Sequence, residues 1–396
     1  MLKKSMLKIS FVSAGNVFNA LLGFLFLSAV AKSLTVEEFG KYALLTTVLV
    51  SLSKIMDFGT NSIFVAQNFI ETLRHKRDFI SSKYLLFLIA IVVSMAILGI
   101  LGLLSSYLVV IFIAGLVGYG VNITLFALFQ KEEQYKKIIL LNTIPAVIKT
   151  VFAVLVFLNV FSLTTEIAFT IFSLSIFGSL FLLRHVKREE KLPDITFESV
   201  RMIKKSTPAG ISQLIREGWP ALSSTIAKMT GAFTGVGIFS IADKISNIFT
   251  LISLSIFTVL LPQNSERKKQ KLKIDFTETF VLSIAIILMA VGAIFASKLF
   301  VSEAFDGKFN NAAQILGILI SSSAITAIYT FMENYFFVED RPGDILIINT
   351  GRLGTFLVLC FHLVPIAGLN GLAWSHLVSS MVALAVTIYF TRLYKK

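Results

Sequence analysis

The sequence predicts an all-α, polytopic membrane protein of about twelve transmembrane helices in two pseudo-symmetric six-helix lobes. Three observations carry this expectation. Hydrophobic residues make up 56% of the 396-residue chain and charged residues 15%, with a mean hydropathy of +0.82, whereas soluble domains run nearer ~45–50% and ~25%. Apolar stretches of the length that spans a bilayer, about 20 residues, recur along the whole chain. The basic residues between those stretches are sorted by side.

The stretches are 9–31, 41–64, 84–104, 107–130, 138–160, 166–184, 208–230, 238–262, 279–301, 311–335, 345–365 and 369–390. The first follows Lys3, Lys4 and Lys8, as a signal peptide would, but its length and the stretches behind it mark it as a span. The seventh and eighth carry charges, and the turn at 105–106 is very short. One side of the membrane collects the basic N-terminus, Arg74, Lys76, Arg77 and Lys83, Lys131, Lys136 and Lys137, the cluster from Arg184 to Lys205, the cluster from Arg267 to Lys273, Arg341, and Arg392, Lys395 and Lys396. The other side holds Lys32, Lys41, Lys298 and Lys308. The positive-inside rule then places both termini in the cytoplasm, which needs an even number of spans.

The formal net charge of +13 is therefore read as topology and contact with membrane lipids. Nucleic acid is not an expected partner, because the basic runs lack interleaved aromatics on a soluble platform. Cys360 is the one cysteine and can form no intrachain bridge. The chain holds no HExxH, Walker loop, GxSxG or metal-spaced His/Cys set, and its longest polar loop, 185–207, is too short for a catalytic domain. Neither enzyme chemistry nor a cofactor or metal is expected.

A duplication runs through the chain. Phe39-Gly40-Lys41-Tyr42-Ala43 opens the second span and Val236-Gly237-Ile238-Phe239-Ser240 the eighth; Gln67-Asn68 ends one and Gln263-Asn264 the other. Ile138 to Thr143 starts the fifth span as Ile345 to Thr350 starts the eleventh. The order is kept and the offset drifts slowly, which divides the chain into lobes 1–197 and 198–396 with a cytoplasmic connector at about 185–207. Six spans per half is even, so the repeats are parallel and related by an axis along the membrane normal, a transporter plan.

With these residues in place the sequence resembles the polysaccharide transporter branch of the multidrug/oligosaccharidyl-lipid/polysaccharide exporter superfamily, which includes O-antigen flippases. The likeness is carried by Leu34-Thr35-Val36-Glu37-Glu38-Phe39-Gly40-Lys41-Tyr42-Ala43, by Asp57-Phe58-Gly59, and by Val236 to Lys244 followed by Leu260-Leu261-Pro262. It covers the whole chain in span number and layout, and it points to the branch more sharply than to the cargo. Membership implies two lobes in a V, alternating access, a polyprenyl-diphosphate-linked glycan as cargo, a monomer in the bacterial cytoplasmic membrane, and a polysaccharide polymerase and glycosyltransferases as partners in surface polysaccharide biosynthesis.

Ten ionisable residues fall inside the spans: Lys54, Asp57, Lys149, Arg216, Glu217, Lys228, Asp243, Lys244, Glu333 and Arg352. Facing lipid, they would together cost about 25–35 kcal/mol even on the lenient insertion scale. They must face a wet cavity, pair, or snorkel. Six are basic and four acidic, so a shared cavity would be net positive. Helical spacing collects Thr47, Ser51, Lys54, Asp57 and Asn61 on one arc of the second span, Ser240, Asp243, Lys244, Asn247 and Thr250 on the eighth, Ser212, Arg216, Trp219, Ser223 and Thr230 on the seventh, and Ser13, Asn16 and Asn19 on the first. Pro220 after Gly218 bends the seventh span at 216–220, and Pro145 leaves the carbonyl of Leu141 without its amide partner in the fifth.

The anionic headgroup is expected at Arg216, Lys54, Lys149, Arg352 and Lys244. Sugars are expected at Asn16, Asn19, Asn61 and Asn247, and ion coupling at Asp57, Glu217 and Asp243. Against these roles stand structural ones: Lys54 can pair with Asp57 at i+3, Arg216 with another acid than its poorly placed neighbour Glu217, Lys228 can snorkel, and Glu333 reads as a helix-end acid. Two rival functions stay open: a cation-coupled drug or metabolite antiporter of the same superfamily, and a peptidoglycan lipid precursor flippase. The first usually places an acid in the first span and the second a basic cluster there; 9–31 contains neither.

Overall fold

In hydrocarbon every backbone amide and carbonyl must find a partner within the protein, and this chain meets that demand with helices alone. The computed structural model describes residues 2–66, 72–103, 105–186, 197–270, 276–305 and 307–393; these are 91% helical and contain no strand. On the division expected from the duplication, the first lobe comprises α1 (Leu2–Ser33), α2 (Val36–Ser53), α3 (Thr60–Ala66), α4 (Thr72–Ile100), α5 (Ser106–Lys131), α6 (Tyr135–Phe157) and α7 (Thr165–Leu174), which runs on as a 3-10 segment, Ser175–His185. The second comprises α8 (Phe197–Glu217), α9 (Trp219–Ser246), α10 (Ile248–Lys269), α11 (Phe276–Ala304), α12 (Asn310–Val338) and α13 (Pro342–Leu393). Positions 187–196, most of the expected connector, lie outside the described residues.

Ten segments are long and apolar enough to cross a membrane among the described residues. Two of them, Phe197–Lys268 and Pro342–Arg392, have 72 and 51 residues, far more than the ~20 that one passage needs. The backbone leaves helical angles inside each: at Gly231 and Ala232 in α9, and at Gly368 (φ 56°) in α13. Eight single and two double passages thus make twelve. The turn into the eighth passage comes at 231–232, earlier than the expected start at 238, because Gly231 releases the helix there.

Lipid-facing and enclosed helices differ in what they bury. Along α11, Phe280, Leu288 and Phe295 are exposed, as acyl-chain contacts require. Along α2, Phe39, Tyr42, Leu44, Val48 and Leu49 are all buried. A capping box starts α2: Thr35 Oγ1 accepts from the Glu38 amide, and Glu38 Oε2 accepts from the Thr35 amide, closing two orphan donors.

Helix α2 is central because it touches the opposite lobe through bare backbone. A Cβ on Gly40 would lie 2.0 Å from the carbonyl oxygen of Phe233, and one on Gly237 would lie 2.6 Å from that of Val36. Both pairs are related by the same 197-residue step. A second such pair lies deeper: Asn16 Nδ2 donates to Ser255 Oγ of α10 (2.7 Å), while Gln213 of α8, again 197 positions on, bonds back to the turn after α2. At the end where α1 turns into α2, Lys308 Nζ caps the last carbonyls of α1, donating to Ala31 (3.0 Å) and to Leu34. A cation at a helix C-terminus is favoured by the helix dipole, and here it fastens one lobe to the other.

With no room for even a methyl group, Gly40→Ala should cost about 1–3 kcal/mol and lower the midpoint of thermal unfolding in detergent. Gly237→Ala should cost less, its clash being milder. Midpoints equal to wild type for both would refute the contact.

Candidate functional site

Both helices at the lobe boundary are broken at mid-depth, and each break hands its freed polar groups to the other lobe. After α2 the chain makes a 3-10 turn, Lys54–Met56, then passes Phe58 (φ 42°) and Gly59 (φ 72°) before α3. A side chain at Gly59 would be strained and would meet the Gly210 amide at 2.7 Å. The Gly59 amide donates to Gln213 Oε1 (2.9 Å), and Gln213 Nε2 donates to Asp57 Oδ2. Opposite, α8 ends at Glu217, Gly218 breaks the helix, and Pro220 sits in the first turn of α9, where its missing amide costs nothing. Ser51 Oγ of α2 donates to the freed Glu217 carbonyl (2.9 Å). The bend expected at 216–220 is present. Likewise, Asn122 Nδ2 of α5 donates to the Leu141 carbonyl (3.3 Å) that Pro145 strips of its partner.

Charges follow the breaks. Lys54 Nζ lies 3.6 Å from Glu217 across the lobe boundary. Arg216 Nε lies 3.7 Å from Glu217, and its Nη1 donates to Glu333 of α12. Asn349 Nδ2 of α13 continues the chain, donating to Glu333 Oε1 (2.9 Å) and Ser212 Oγ (2.7 Å). This ladder differs from the expected local pair. Lys54 takes Glu217 in place of Asp57, and Arg216 takes another acid, Glu333, as its close partner, with its chain neighbour Glu217 at the longer distance. Glu333 is fully buried and serves as the counter-charge of Arg216. Lys54, Arg216 and Glu217 keep side-chain exposures of 27%, 25% and 33%, which at this depth means that they border internal space.

Arg352 is enclosed within the second lobe, 4% exposed. Its guanidinium donates to Tyr329 Oη, Thr326 Oγ1 (3.2 Å) and Ser380 Oγ (3.2 Å), and stacks 4.0 Å from the Trp219 ring. Trp219 Nε1 donates to His376 Nδ1 (3.0 Å), so Nε2 carries the proton and donates to Ser223 Oγ (2.9 Å). Polar partners fill this cluster on every side except Arg352 Nε.

The expected amide ligands are largely committed. Asn16 bonds Ser255. Asn19 Oδ1 accepts from Thr143 of α6 (2.7 Å). Asn61 donates to the Ile123 carbonyl (3.1 Å) and accepts from Lys83 (2.6 Å). Asn247 marks the break between α9 and α10, donates to Asp243 Oδ2 (3.2 Å) and accepts from Thr250 (3.1 Å).

Lys149 and Lys244 are different. Each is half-buried, Lys149 inside α6 and Lys244 in the last turn of α9, one in each lobe, and among the described residues neither makes an ion pair or a hydrogen bond. They lie within each other's electrostatic reach. The nearest charge compensation for Lys244 is its chain neighbour Asp243, and Lys149 rests 5.0 Å from the centre of the Phe172 ring. Lys228, nearer the end of its helix, packs 4.7 Å from the Phe233 ring. On the flank of the boundary, a cleft of about 390 Å³ opens between α2, α4 and the α8–α9 break, walled by Val48, Leu52, Val93, Ile97, Leu214 and Leu222. Among the described residues no cluster of three or more His, Cys, Asp or Glu could hold a metal.

A family model described as "Polysaccharide biosynthesis protein" matches residues 6–268. The chain belongs to that family. Solved structures that share its fold include transporters of the MOP superfamily. The chain is similar to an outward-facing multidrug resistance MATE family transporter (18% identity, TM-score 0.73, 99% of this chain and 95% of that one). It is also similar to the MATE multidrug transporter DinF-BH (16%, 0.73, 99% and 96%). A MOP superfamily transporter from Pyrococcus furiosus, described as having a binding pocket of reverse polarity, matches at 16% identity and a TM-score of 0.70, over 100% of this chain and 97% of that one. At these identities the likeness is one of fold alone. No curated protein matches the chain.

In this family member, three residues that sequence reasoning passed over prove to be structural centres. Lys83, read as a cytoplasmic topology charge, is 6% exposed and holds the α2 break, donating to the Met56 carbonyl (3.0 Å), Thr60 Oγ1 (2.7 Å) and Asn61. Gln213 was legible as the repeat-mate of Asn16. His376 gave no signal, since its partners come from a distant helix.

Glu333→Gln should cost about 3–5 kcal/mol by leaving Arg216 with a single acid in a buried setting. Lys54→Gln should cost no more than about 1 kcal/mol, its pair being partly solvated. Thermal unfolding in detergent ranks the two, and a larger loss for Lys54→Gln would refute the ladder.

Proposed function

We propose that this protein flips a polyprenyl-diphosphate-linked oligosaccharide across the bacterial cytoplasmic membrane, with the units 1–197 and 198–396 rocking about a central site and both termini in the cytoplasm. The observation that carries this reading is the pair Lys149 and Lys244: two cations, one from each lobe, that make no ion pair or hydrogen bond among the described residues, Lys244 having only its chain neighbour Asp243 as a nearby acid. Unpaired cations at bilayer depth are costly, and each would be relieved by an anion between the lobes. A diphosphate supplies enough charge to engage both. The apolar cleft beside α2 and α4 suits the polyprenyl tail, and membership in a polysaccharide biosynthesis family favours a sugar headgroup.

The ladder Lys54–Glu217–Arg216–Glu333 is nearly neutral, so in this reading it fastens the lobes while the two lysines hold the cargo. Of the acids expected to couple an ion, Asp243 is the one beside the lysine pair, and it is the coupling residue proposed. The multidrug transporters of similar fold favour a second reading, export of a cationic drug. Two unpaired lysines at the boundary would repel such a cargo.

Lys149→Gln and Lys244→Gln should each weaken transport roughly 10–100-fold, the loss of one charge-assisted hydrogen bond. Removing an unpaired charge should leave thermal stability unchanged or raised. Flipping of a fluorescent polyprenyl-diphosphate glycan in proteoliposomes reads this out. Wild-type rates in the double variant would overturn the proposal.

A further inference from the structure

Around Lys149, side chains from four helices of the first lobe converge. Phe172 of α7 lies under the ammonium, 5.0 Å from ring centre to Nζ. Tyr119 of α5 lies alongside Phe172, with ring centres 6.2 Å apart and planes 29° from parallel. Tyr42 of α2 meets Phe172 edge-on at 6.3 Å and 88°. Tyr42 is buried, whereas Phe172 and Tyr119, like Lys149, keep partial exposure. Four helices meeting at one point define the interior of a lobe, so the exposed parts of these rings face internal space and not lipid.

We infer that Phe172 and Tyr119 form a carbohydrate subsite that stacks the first pyranose of the cargo while Lys149 holds the adjoining phosphate. This inference rests on the diphosphate reading of Lys149 and Lys244, and adds where the sugar sits. The chemistry is complementary. One face of a pyranose is a patch of C–H groups carrying slight positive charge, and an aromatic face is negative. The Phe172 face under the ammonium is an aromatic surface of the size of one pyranose, and Tyr119 packs against that ring. Tyr42, held edge-on from beneath, fixes the tilt of Phe172. The first sugar is bonded directly to the diphosphate, so a phosphate on Lys149 places that sugar beside the rings.

The lysine itself controls access. Without an anion its best contact is the Phe172 face, a cation–π interaction. A phosphate offers a full negative charge and draws the ammonium off the ring, which uncovers the face for the sugar. Headgroup and sugar recognition are thereby linked in order: phosphate first, sugar second. Of the amides expected to read sugars, Asn16, Asn61 and Asn247 bond other protein groups, and Asn19 bonds Thr143 through Oδ1 while its Nδ2 has no partner.

The test compares two classes of probe on the full-length protein in lipid nanodiscs, by thermophoresis. One is farnesyl diphosphate; the other is farnesyl diphosphate carrying a single glucose, galactose or N-acetylglucosamine. Wild type should bind farnesyl diphosphate, and at least one conjugate roughly tenfold more tightly. Phe172→Leu and Tyr119→Leu, which keep bulk but remove the ring face, should abolish that tenfold gain and leave farnesyl diphosphate binding unchanged. Phe172→Tyr should restore the gain, and Lys149→Gln should weaken both classes of probe. Wild type binding farnesyl diphosphate but no conjugate more tightly would overturn the subsite alone, as would leucine variants that weaken both classes equally or neither. Failure of wild type to bind farnesyl diphosphate would instead remove the diphosphate reading and take the subsite with it.

Discussion

The cost of placing charge where water is scarce governs this molecule. A guanidinium, ammonium or carboxylate at bilayer depth must find an opposite charge, a set of dipoles, or a wet surface. Each solution appears in turn. Arg216 and Glu333 neutralise one another directly. Lys83 is wrapped by a carbonyl, a hydroxyl and an amide oxygen. Arg352 is enclosed by three hydroxyls and an indole face. Lys149 has only the Phe172 face and Lys244 only the carboxylate beside it in the chain, and among the described residues neither makes an ion pair or a hydrogen bond.

The same accounting applies to the backbone. Proline and glycine breaks free carbonyls and amides that lipid cannot satisfy, and here they are met by side chains from other helices. Asn122 serves the Leu141 carbonyl, Ser51 the Glu217 carbonyl, and Gln213 the Gly59 amide. Two of these three bonds cross from one lobe to the other. The breaks are therefore points of attachment between the halves, and any relative motion of the lobes must exchange those bonds for others.

The fold was legible because its signals are long and additive. Twenty-residue apolar runs and repeated motifs survive errors at individual positions, and the Gly40–Gly237 correspondence led directly to the closest approach of the lobes. Pro145 and Pro220 were readable for the same reason: their chemistry is local. The pairing of charges was not. Lys54 and Asp57 are three residues apart and would meet on a continuous helix, but the helix ends at that point, and Glu217 arrives from 163 positions away. Lys83 illustrates the opposite error: a lysine near a helix end reads as a topology signal unless the break it caps is known. The aromatic group around Lys149 was hidden by abundance, since among 37 phenylalanines no spacing singles out Phe172.

The contact between Gly40 and Gly237 joins surfaces from which side chains are missing. Interlocked side chains act as teeth and resist turning; facing peptide planes do not. In the rocking motion proposed above, the junction would act as a smooth bearing, set near the end of the molecule where Lys308 also crosses. A turn of ~10° about such a fulcrum displaces groups ~30 Å away, one hydrocarbon thickness, by ~5 Å. Leverage of that kind comes from two hydrogen atoms standing where every other residue would put carbon.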